Sequence, residues 1–340
     1  MTGQVTAWAD RQSPAALKPI AVNTNAAKLI SVDWGTSNLR AYLVDANGGV
    51  IDKVQNDQGI RNSKADFAST LAALIEPWQA DQPALNVILS GMIGSPSGWV
   101  EVPHLPCPAT LADLAAQATA ITHIGSNRAY IVPGLSGTNA VGVADIMRGE
   151  ELQYFGAEHL RQAQNLPRPT LWCFPGTHNK WVRARMSIES FATSMVGEMF
   201  ELIRQHSLLA VSLTETVPAP TTTEARSTTQ SAAFAKGLAM ASQSGGLLHH
   251  LFSVRTLQLS GEHHLSEGED YLSGIMIGHD ILAQLGSTPS HVGIVAAPQL
   301  AGKYAQALDL LGHSSFCIDA EQATTAGALL VDKRLATAGS

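Results

Sequence analysis

The chain has 340 residues, of which 45% are apolar and 14% charged, so it is long enough for two domains and too apolar for a disordered protein. Its net charge of −7 excludes the extended basic face that binding to nucleic acid or to an acidic membrane requires, and no stretch approaches the ~20 apolar residues of a membrane-spanning helix. The three cysteines cannot all pair, lack metal-site spacing and lie in apolar stretches, which predicts free buried thiols in a reducing compartment, the cytoplasm.

The first strong pattern is an apolar strand that ends in a carboxylate and a polar turn. Residues 1–27 precede it as an expected flexible extension without a signal-type apolar core. Strands are predicted at 29–32 and 39–44, and Asp33 closes the first of them. The turn supplies backbone and side-chain donors suited to an anion: Gly35, Thr36, Ser37 and Asn38. With Asp33 as an oxygen ligand for Mg²⁺, the stretch has the parts that a bound triphosphate needs, although such residues also build ordinary hairpin turns.

A loop of small residues follows the next predicted strand, 85–89. It spans residues 90–99 and includes Ser90, Gly91, Met92 and Trp99. Ligands of α/β proteins dock at loops that follow strands, and here the glycines leave space beside one flat aromatic ring. The loop is therefore a candidate for substrate binding, with a plain connection as the alternative.

A break at 133–138 divides the chain into two predicted lobes, 28–135 and 136–340. Just beyond the break, three carboxylates surround the predicted start of a helix: Asp145, Glu150 and Glu151. Acidic side chains at a helix N-terminus often do no more than complement the helix dipole, so this pattern alone leaves their role open.

A second unit of strand, Gly-Thr turn and strand follows at 170–186 and repeats the first. Gly176, Thr177 and His178 form the turn, while Lys180 either neutralises phosphate charge or is an ordinary surface lysine. Two such turns are what a two-lobed cleft needs to hold one polyphosphate from both sides. The sequence therefore predicts an α/β protein with two related lobes.

The rest of the chain is predicted to be mostly helical. A Thr-, Ser- and Pro-rich connection is expected at 213–229, and helices from about residue 231. Gly-x-x-x-x-Gly-Lys-Ser/Thr, Gly-x-Gly-x-x-Gly and Gly-x-Ser-x-Gly motifs are absent from the sequence. P-loop, dinucleotide-binding and α/β-hydrolase folds therefore lose their main support.

Two small-residue pairs near the C-terminal end are candidate ligand contacts. Gly274 and Gly278 lie four residues apart in a predicted helix. Because each glycine costs a helix about 1 kcal/mol relative to alanine, we expect either close packing or a flat ligand beside them. Ala296 and Ala297 connect a predicted strand, 291–295, to the helix that follows it.

Short motifs occur in order from about residue 29 to the end of the chain: Asp33-Trp-Gly-Thr-Ser-Asn-Leu-Arg40, Ser90-Gly-Met-Ile-Gly94, Met147-Arg-Gly-Glu-Glu151, Pro175-Gly-Thr-His178 with Lys180-Trp181, Leu272-Ser-Gly274 with Ile277-Gly278, and Lys303-Tyr304 with Ala307-Leu308. As a set they closely resemble the 2-dehydro-3-deoxygalactonokinases, a family of the actin, Hsp70 and sugar-kinase superfamily. The resemblance implies two ribonuclease-H-like (actin-like ATPase) domains with a central cleft. It also implies transfer of phosphate from ATP, with Mg²⁺, to the 6-hydroxyl of 2-dehydro-3-deoxy-D-galactonate in galactonate breakdown.

The resemblance further implies roles for individual residues. Asp33 would lie beside Mg²⁺ and the attacking oxygen, while the turns 35–38 and 176–178 would hold the phosphates. The adenosine would be bordered by Gly274, Gly278, Ala296 and Ala297. Relatives usually have glycine where Ala297 stands, so its methyl group is expected to narrow the adenine slot.

Two roles and two broader questions stay open from the sequence. Glu150 resembles the carboxylate that takes the hydroxyl proton in glycerol-kinase-like enzymes, with Asp145 and Glu151 as rivals. The substrate carboxylate needs a cation, for which the candidates are Arg40, Arg148 and Lys180. A regulatory protein that closes over ATP without transferring phosphate, or a phosphatase, is the alternative function. The oligomeric state is undetermined, with a homodimer among the options.

Overall fold

The computed structural model describes residues 27–63, 66–79, 84–213, 223–286 and 288–338. Its strands are β1 (Ala27–Trp34), β2 (Leu39–Asp45), β3 (Val50–Asn56), β4 (Asn86–Gly91), β5 (Leu105–Pro106), β6 (Thr119–Ile124), β7 (Asn127–Ile131), β8 (Leu135–Thr138), β9 (Ala144–Met147), β10 (Leu171–Phe174), β11 (Asn179–Ala184), β12 (Ile188–Ser194), β13 (His291–Ala296) and β14 (Ser314–Asp319). Its α-helices are α1 (Phe67–Gln79), α2 (Leu111–Ala116), α3 (Glu150–Ala163), α4 (Val196–His206), α5 (Thr223–Ala241), α6 (Leu247–Leu259), α7 (Gly268–Leu285), α8 (Pro298–Leu310) and α9 (Ala320–Ala338).

The two large sheets have the same core topology. The first has the order β3-β2-β1-β4-β7-β6, and the second β12-β11-β10-β13-β14. In each, an antiparallel meander of three strands is continued by two strands parallel to its first strand, as in β1 beside β4 and β10 beside β13. The repeat confirms the predicted α/β fold with two ribonuclease-H-like domains. A third sheet, β5-β8-β9, leads the chain towards α3.

Helices α3 and α9 pack together in a core that includes residues from both large sheets. A Cβ at Gly156 would lie 1.8 Å from the carbonyl oxygen of Ala323, and one at Gly327 would lie 2.2 Å from that of Leu152, so the helices touch through their backbones. The shared core includes side chains of both sheets: Leu29, Tyr42 and Ile88 from the first, Trp172 and Val295 from the second. Burying these side chains fixes the position of α3, and with it Glu150 at its start.

Several predicted boundaries can be compared with the described residues. Residues 1–26 lie outside them, and β1 begins at Ala27, within the expected extension. The connection predicted at 213–229 is wrong at its C-terminal end, because α5 begins at Thr223. The lobe boundary between 135 and 136 stays a prediction; α9, from the second predicted lobe, contacts β1 of the first sheet.

The structure also bears on the predicted state of the cysteines and on the presence of membrane-spanning helices. The cysteines Cys107, Cys173 and Cys317 are free thiols, as predicted, but the predicted burial is correct for Cys173 alone, because Cys107 is half-buried and Cys317 is exposed. Within the described ranges, no helix combines the length and apolar character needed to cross a membrane.

Candidate active site

One cavity of about 590 Å³ is lined by both Gly-Thr turns and by the start of α3. The predicted site residues that line it are Asp33, Gly35, Thr36, Gly91, Met92, Arg148, Glu150, Gly176, Thr177, His178 and Lys180. The predicted residues outside this lining are Ser37, Asn38, Arg40, Ser90, Trp99, Gly274, Gly278, Ala296 and Ala297. The two turns, which are separated by about 140 residues of sequence, therefore face the same space.

The first turn, between β1 and β2, is held from behind by residues 59–61. Its carbonyl oxygens accept hydrogen bonds from this segment, at 3.0 Å from the N–H of Ile60 to Gly35 and 3.0 Å from that of Arg61 to Thr36. A Cβ at Gly59 would lie 2.3 Å from the carbonyl carbon of Ser37, so only glycine permits this approach. Thr36, which is exposed, is thereby fixed at the cavity wall.

Asp33 lies at the end of β1, opposite Arg40 in the β1–β2 register. The guanidinium of Arg40 donates to the Asp33 carboxylate at 3.1 Å. Burial raises the pKa of Asp33, and the charge and hydrogen bond of Arg40 oppose this shift. Arg40 therefore serves as the counter-ion of Asp33, which makes it a poor candidate for binding a substrate carboxylate.

The second turn, between β10 and β11, is held from behind by the N-terminus of α4. The N–H of Glu198 donates to the carbonyl oxygen of Thr177 at 2.9 Å, and the Glu198 carboxylate lies 2.5 Å from His178 Nε2. A Cβ at Gly197 would lie 2.3 Å from the carbonyl oxygen of Gly176. The second turn thus rests on a close glycine contact, as the first does.

Lys180 is the second residue of β11, the strand after the second turn, and it is buried and lines the cavity. Its ammonium donates to the carbonyl oxygen of Ile146 at 2.9 Å and to Thr193 Oγ1 at 2.8 Å. Its charge also lowers the pKa of Glu150. Lys180 is therefore a fixed cation beside the start of α3, and the surface-lysine alternative is wrong.

The three carboxylates near the start of α3 have different surroundings. Asp145 accepts hydrogen bonds from the N–H of Thr193 at 2.7 Å and from its hydroxyl at 2.6 Å. Both Glu151 oxygens lie 2.8 Å from the N–H of Gly149, and burial together with Glu150 raises the pKa of Glu151 to about 8. Of the three, Glu150 alone lines the cavity. Burial raises the pKa of Glu150 as its largest effect, and Lys180 opposes it.

The loop after β4 contributes to the cavity through its backbone and small residues. Gly91 has a φ of +85°, and a Cβ there would lie 2.8 Å from the carbonyl oxygen of Trp34, so glycine is required. Ser90 is buried, with its hydroxyl 3.3 Å from the carbonyl oxygen of Val32, and Trp99 packs on the core of the first lobe. Ser90 and Trp99 therefore anchor the loop. Nine lining residues were not individually assigned to the site from the sequence: Ser95, Pro96, His104, Ile146, Met147, Gly149, Gln153, Phe174 and Pro175. Of these, Ser95 and Pro96 lie within the loop predicted at 90–99.

Arg148 reaches from the strand β9 side of the cavity to the first lobe. Its Nη2 donates to the carbonyl oxygen of Val102 at 2.8 Å and lies 3.2 Å from His104 Nε2. Its Nη1 is buried and has no hydrogen-bond partner. Burial and the neighbouring guanidinium lower the pKa of His104, so the imidazole is neutral near pH 7.

A second cavity of about 260 Å³ shares Gly176 with the first and lies between α4, α7 and α8. Its other lining residues are Val196, Gly197, Phe200, Ser273, Met276, Ile277, Gln299, Leu300, Lys303 and Tyr304. Largely apolar walls next to the second turn suit a base and ribose. Sequence reasoning did not assign these residues to the site, although Ser273, Lys303 and Tyr304 lie in motifs that it singled out.

The predicted adenosine-site glycines lie next to this cavity and contact another helix. A Cβ at Gly274 would lie 2.1 Å from the carbonyl oxygen of Phe234, and one at Gly278 2.6 Å from the Cβ of Ala241, both on α5. Close helix packing, one of the two expectations, is thus observed. Ala296 is buried in β13, and Ala297 is exposed at the N-cap of α8 with a φ of −62°.

Comparison with known proteins agrees with this geometry. Residues 33–331 match the model of the family described as 2-keto-3-deoxy-galactonokinase. The chain is 31% identical over 307 residues to the 2-dehydro-3-deoxygalactonokinase of Escherichia coli, covering 88% of this chain and 96% of that protein. It is 34% identical over 313 residues to a candidate enzyme of the same name from Rhizobium meliloti, with coverages of 89% and 96%.

A solved structure gives the same result for the fold. A crystal structure of a candidate 2-dehydro-3-deoxygalactonokinase from Sinorhizobium meliloti superposes with a TM-score of 0.77 at 31% identity, covering 90% of this chain and 96% of that one. The sequence motifs, the paired lobes and these relatives agree. The chain belongs to the 2-keto-3-deoxy-galactonokinase family.

Proposed function

We propose that this member of a kinase family transfers the γ-phosphoryl group of ATP to the 6-hydroxyl of 2-dehydro-3-deoxy-D-galactonate, in the breakdown of galactonate. The observation that carries the proposal is the single cavity lined by both Gly-Thr turns and by Glu150. Phosphoryl transfer depends mainly on positioning and on stabilising charge, and both turns and Lys180 supply donors to the same space. The name of the Escherichia coli relative supports the choice of substrate.

The nucleotide would lie across the two connected cavities. Its phosphates would be held between the first turn, at Gly35 and Thr36, and the second turn, at Gly176 and Thr177. The adenosine would occupy the 260 Å³ cavity, where Met276 and Ile277 offer apolar contact and Gln299 and Lys303 offer polar groups. Because Gly176 lines both cavities, one extended molecule can fill them together.

The side chains at the cleft fit a magnesium ion that arrives with ATP. Among the described residues, no three His, Cys, Asp or Glu side chains form a complete metal site. Mg²⁺ is commonly held by one or two carboxylates together with phosphate oxygens and water, and the cavity-facing Asp33 would provide such a ligand. The bound ion would neutralise charge on the transferring phosphate.

Glu150 is the proposed base of the reaction. Its carboxylate would accept the proton of the 6-hydroxyl as that oxygen bonds to the γ-phosphorus and the bond to ADP breaks. Burial raises the pKa of Glu150, which suits a proton acceptor, and the charge of Lys180 opposes part of this rise. All three carboxylates accept hydrogen bonds, Glu150 from the N–H of Arg148, Asp145 from Thr193 and Glu151 from Gly149. The rivals are less suitable because they do not line the cavity.

A coupled assay of ADP formation tests the proposal. With ATP and Mg²⁺ fixed, we expect ADP to appear only when 2-dehydro-3-deoxy-D-galactonate is added, and a panel of other 2-keto-3-deoxy acids sets the preference. ADP release that ignores the sugar acid would favour a regulatory switch instead. Release of inorganic phosphate to water would favour a phosphatase.

The role of Glu150 is tested by Glu150→Gln. The amide keeps the shape of the side chain but cannot accept the proton, so we expect kcat to fall on the order of 10²–10⁴-fold with little change in ATP affinity. Glu189→Gln, on strand β12, is the control. Near-normal turnover by Glu150→Gln would remove Glu150 from this role.

Three further features stay proposals. We assign the protein to the cytoplasm, which its free thiols support. We keep the lobe boundary between 135 and 136, with a homodimer as the proposed assembly. Sedimentation of the purified protein tests the assembly.

A further inference from the structure

Two buried polar atoms at the cleft lack hydrogen-bond partners. They are Arg148 Nη1 and Ser95 Oγ, and both side chains line the 590 Å³ cavity. Ser95 is only 6% exposed, so bulk water does not satisfy its hydroxyl. Buried donors without partners are uncommon in folded proteins because leaving them unbonded is costly. Two of them on one cavity indicate that a bound molecule supplies the acceptor.

The backbone brings these two groups together. A Cβ at Gly94 would lie 2.8 Å from Arg148 Nη1, so the guanidinium rests on the residue that precedes Ser95. The N–H of Ser95 is bonded to the carbonyl oxygen of Met92 at 3.0 Å, which fixes the loop. Nη2 of Arg148 donates to the carbonyl oxygen of Val102, whereas Nη1 has no hydrogen-bond partner.

Charge at this end of the cavity favours an anion. Arg40 is paired with Asp33, and Lys180 is bonded to Ile146 and Thr193, whereas the ion pairs of the described residues do not include Arg148. Burial lowers the pKa of Arg148, and Glu151 and Glu101 oppose this shift. A guanidinium group stays protonated in proteins, so Arg148 carries a positive charge. His104 faces it as a neutral ring and adds no second charge. Arg148 is thus a cation of the cleft that takes part in no ion pair among the described residues and has a donor without a partner.

We propose that Arg148 and Ser95 form a subsite for the carboxylate of the sugar acid, with Arg148 Nη1 and Ser95 Oγ donating to its oxygens. The inference rests on the proposed function and sets the direction of the substrate. The acid end lies against the first lobe at Gly94, and the far hydroxyl points towards Glu150. A neutral sugar would leave both donors unpaired, and such sites reject ligands that lack the bonding group.

The test compares Arg148→Met and Ser95→Ala with two matched controls, Arg128→Met and Ser97→Ala. Arg128 is an exposed arginine of β7, and Ser97 is an exposed serine of the same loop as Ser95. Each variant is assayed with the sugar acid and with the neutral analogue that carries a hydroxymethyl group in place of the carboxylate. Calorimetry without ATP measures binding of both compounds, and thermal melting confirms that each variant is folded.

We expect KM for the sugar acid to rise on the order of 100-fold in Arg148→Met and about 10-fold in Ser95→Ala, with KM for ATP unchanged. The neutral analogue should respond little, so the preference for the acid collapses in these variants and persists in the controls. Equal losses for acid and neutral analogue, or an unchanged KM for the acid, would overturn the subsite while leaving the kinase function intact.

Failure of the proposed function gives a different pattern. If the unmodified protein bound the sugar acid without phosphorylating it, the proposed kinase function would be wrong. Weaker binding of the acid by Arg148→Met would still support the subsite. If calorimetry detected no preference of the unmodified protein for the acid over its neutral analogue, the subsite would be refuted whatever the reaction.

Discussion

The two Gly-Thr hairpins occupy matching places in the two lobes but differ in the residue that stands two positions before the glycine. Asp33 precedes the first turn and pairs across the hairpin with Arg40, whereas Phe174 precedes the second and pairs with Lys180. Both hairpins therefore contain a glycine, a threonine and a basic residue on the second strand, and only the first contains a carboxylate. In the first lobe the cation balances Asp33, and in the second it acts on Glu150.

Each of the two lobes thus contributes one proposed phosphate-binding turn, but the lobes contribute different charged groups to the site. The first lobe supplies the proposed metal ligand, and the second supplies the cation beside the proposed base. The support behind the turns is shared as well, since Gly59 backs the first turn and Gly197 the second. Substitutions can test each difference and each shared feature of the two hairpins separately.

The largest effect is expected from the residue without a counterpart, Asp33. Asp33→Asn keeps the side-chain size but removes the charge that a metal ligand needs, and Phe174 cannot replace it. We expect kcat to fall on the order of 10²–10³-fold, and the Mg²⁺ concentration for half-maximal activity to rise. Asp309→Asn, at an exposed position of α8, is the control. Unaltered Mg²⁺ dependence would show that the two hairpins do not differ in this way.

The second effect concerns the cation of the other hairpin. Burial raises the pKa of Glu150 and Lys180 lowers it, so Lys180→Met should raise that pKa further. Because the base must be ionised, the acid limb of the kcat/KM profile should move to higher pH. Lys333→Met, at an exposed position of α9, should leave the limb in place. If the acid limb moved to lower pH or did not move, Lys180 would not be the residue that lowers the pKa of the base.

The shared support is tested by placing a methyl group behind each turn. A Cβ at Gly59 or at Gly197 would lie 2.3 Å from turn backbone, so both alanine variants should displace a turn and raise KM for ATP about 10-fold. Gly302→Ala is the control, because no atom lies within 4 Å of its Cβ position. If one variant alone weakened ATP binding, the turns would not share the phosphates equally.

The smallest effect separates the two adjacent glutamates of α3. The pKa of Glu151 is raised to about 8, above its value in an unfolded chain, so its neutral form stabilises the fold at low pH. That stabilisation is fully present below about pH 4.5 and is lost as pH rises through about 8. Glu151→Gln should therefore change little at pH 4 and add on the order of 1–3 kcal/mol to the unfolding free energy at pH 9. An equal change in unfolding free energy at pH 4 and pH 9 would contradict a raised pKa for Glu151.

The part of the fold that sequence patterns predict is the part set by local order. An apolar strand, a Gly-Thr turn and a second strand can be recognised twice, and their repetition predicts two lobes. The start of α5 at Thr223 was missed, because Thr and Ser favour loops locally and packing of α5 against α7 outweighs that preference.

The site was predictable where chemistry follows from adjacent residues, and less so where it depends on distant contacts. Nothing local distinguishes Glu150 from Glu151; the distinction arises because one faces the cavity and the other bonds to Gly149. Ser95 was missed for a similar reason, since its importance depends on Arg148, more than 50 residues further along the chain. Gly274 was assigned to the adenosine site from the sequence, whereas the structure explains this glycine by the close packing of its helix against α5.

A crystal structure with a non-hydrolysable ATP analogue, Mg²⁺ and the sugar acid tests the central claim most directly. We predict that the β- and γ-phosphates contact both the Gly35–Thr36 and the Gly176–Thr177 backbone, with the sugar hydroxyl facing Glu150. Phosphates bound by one turn alone, or a nucleotide outside the shared cavity, would contradict it.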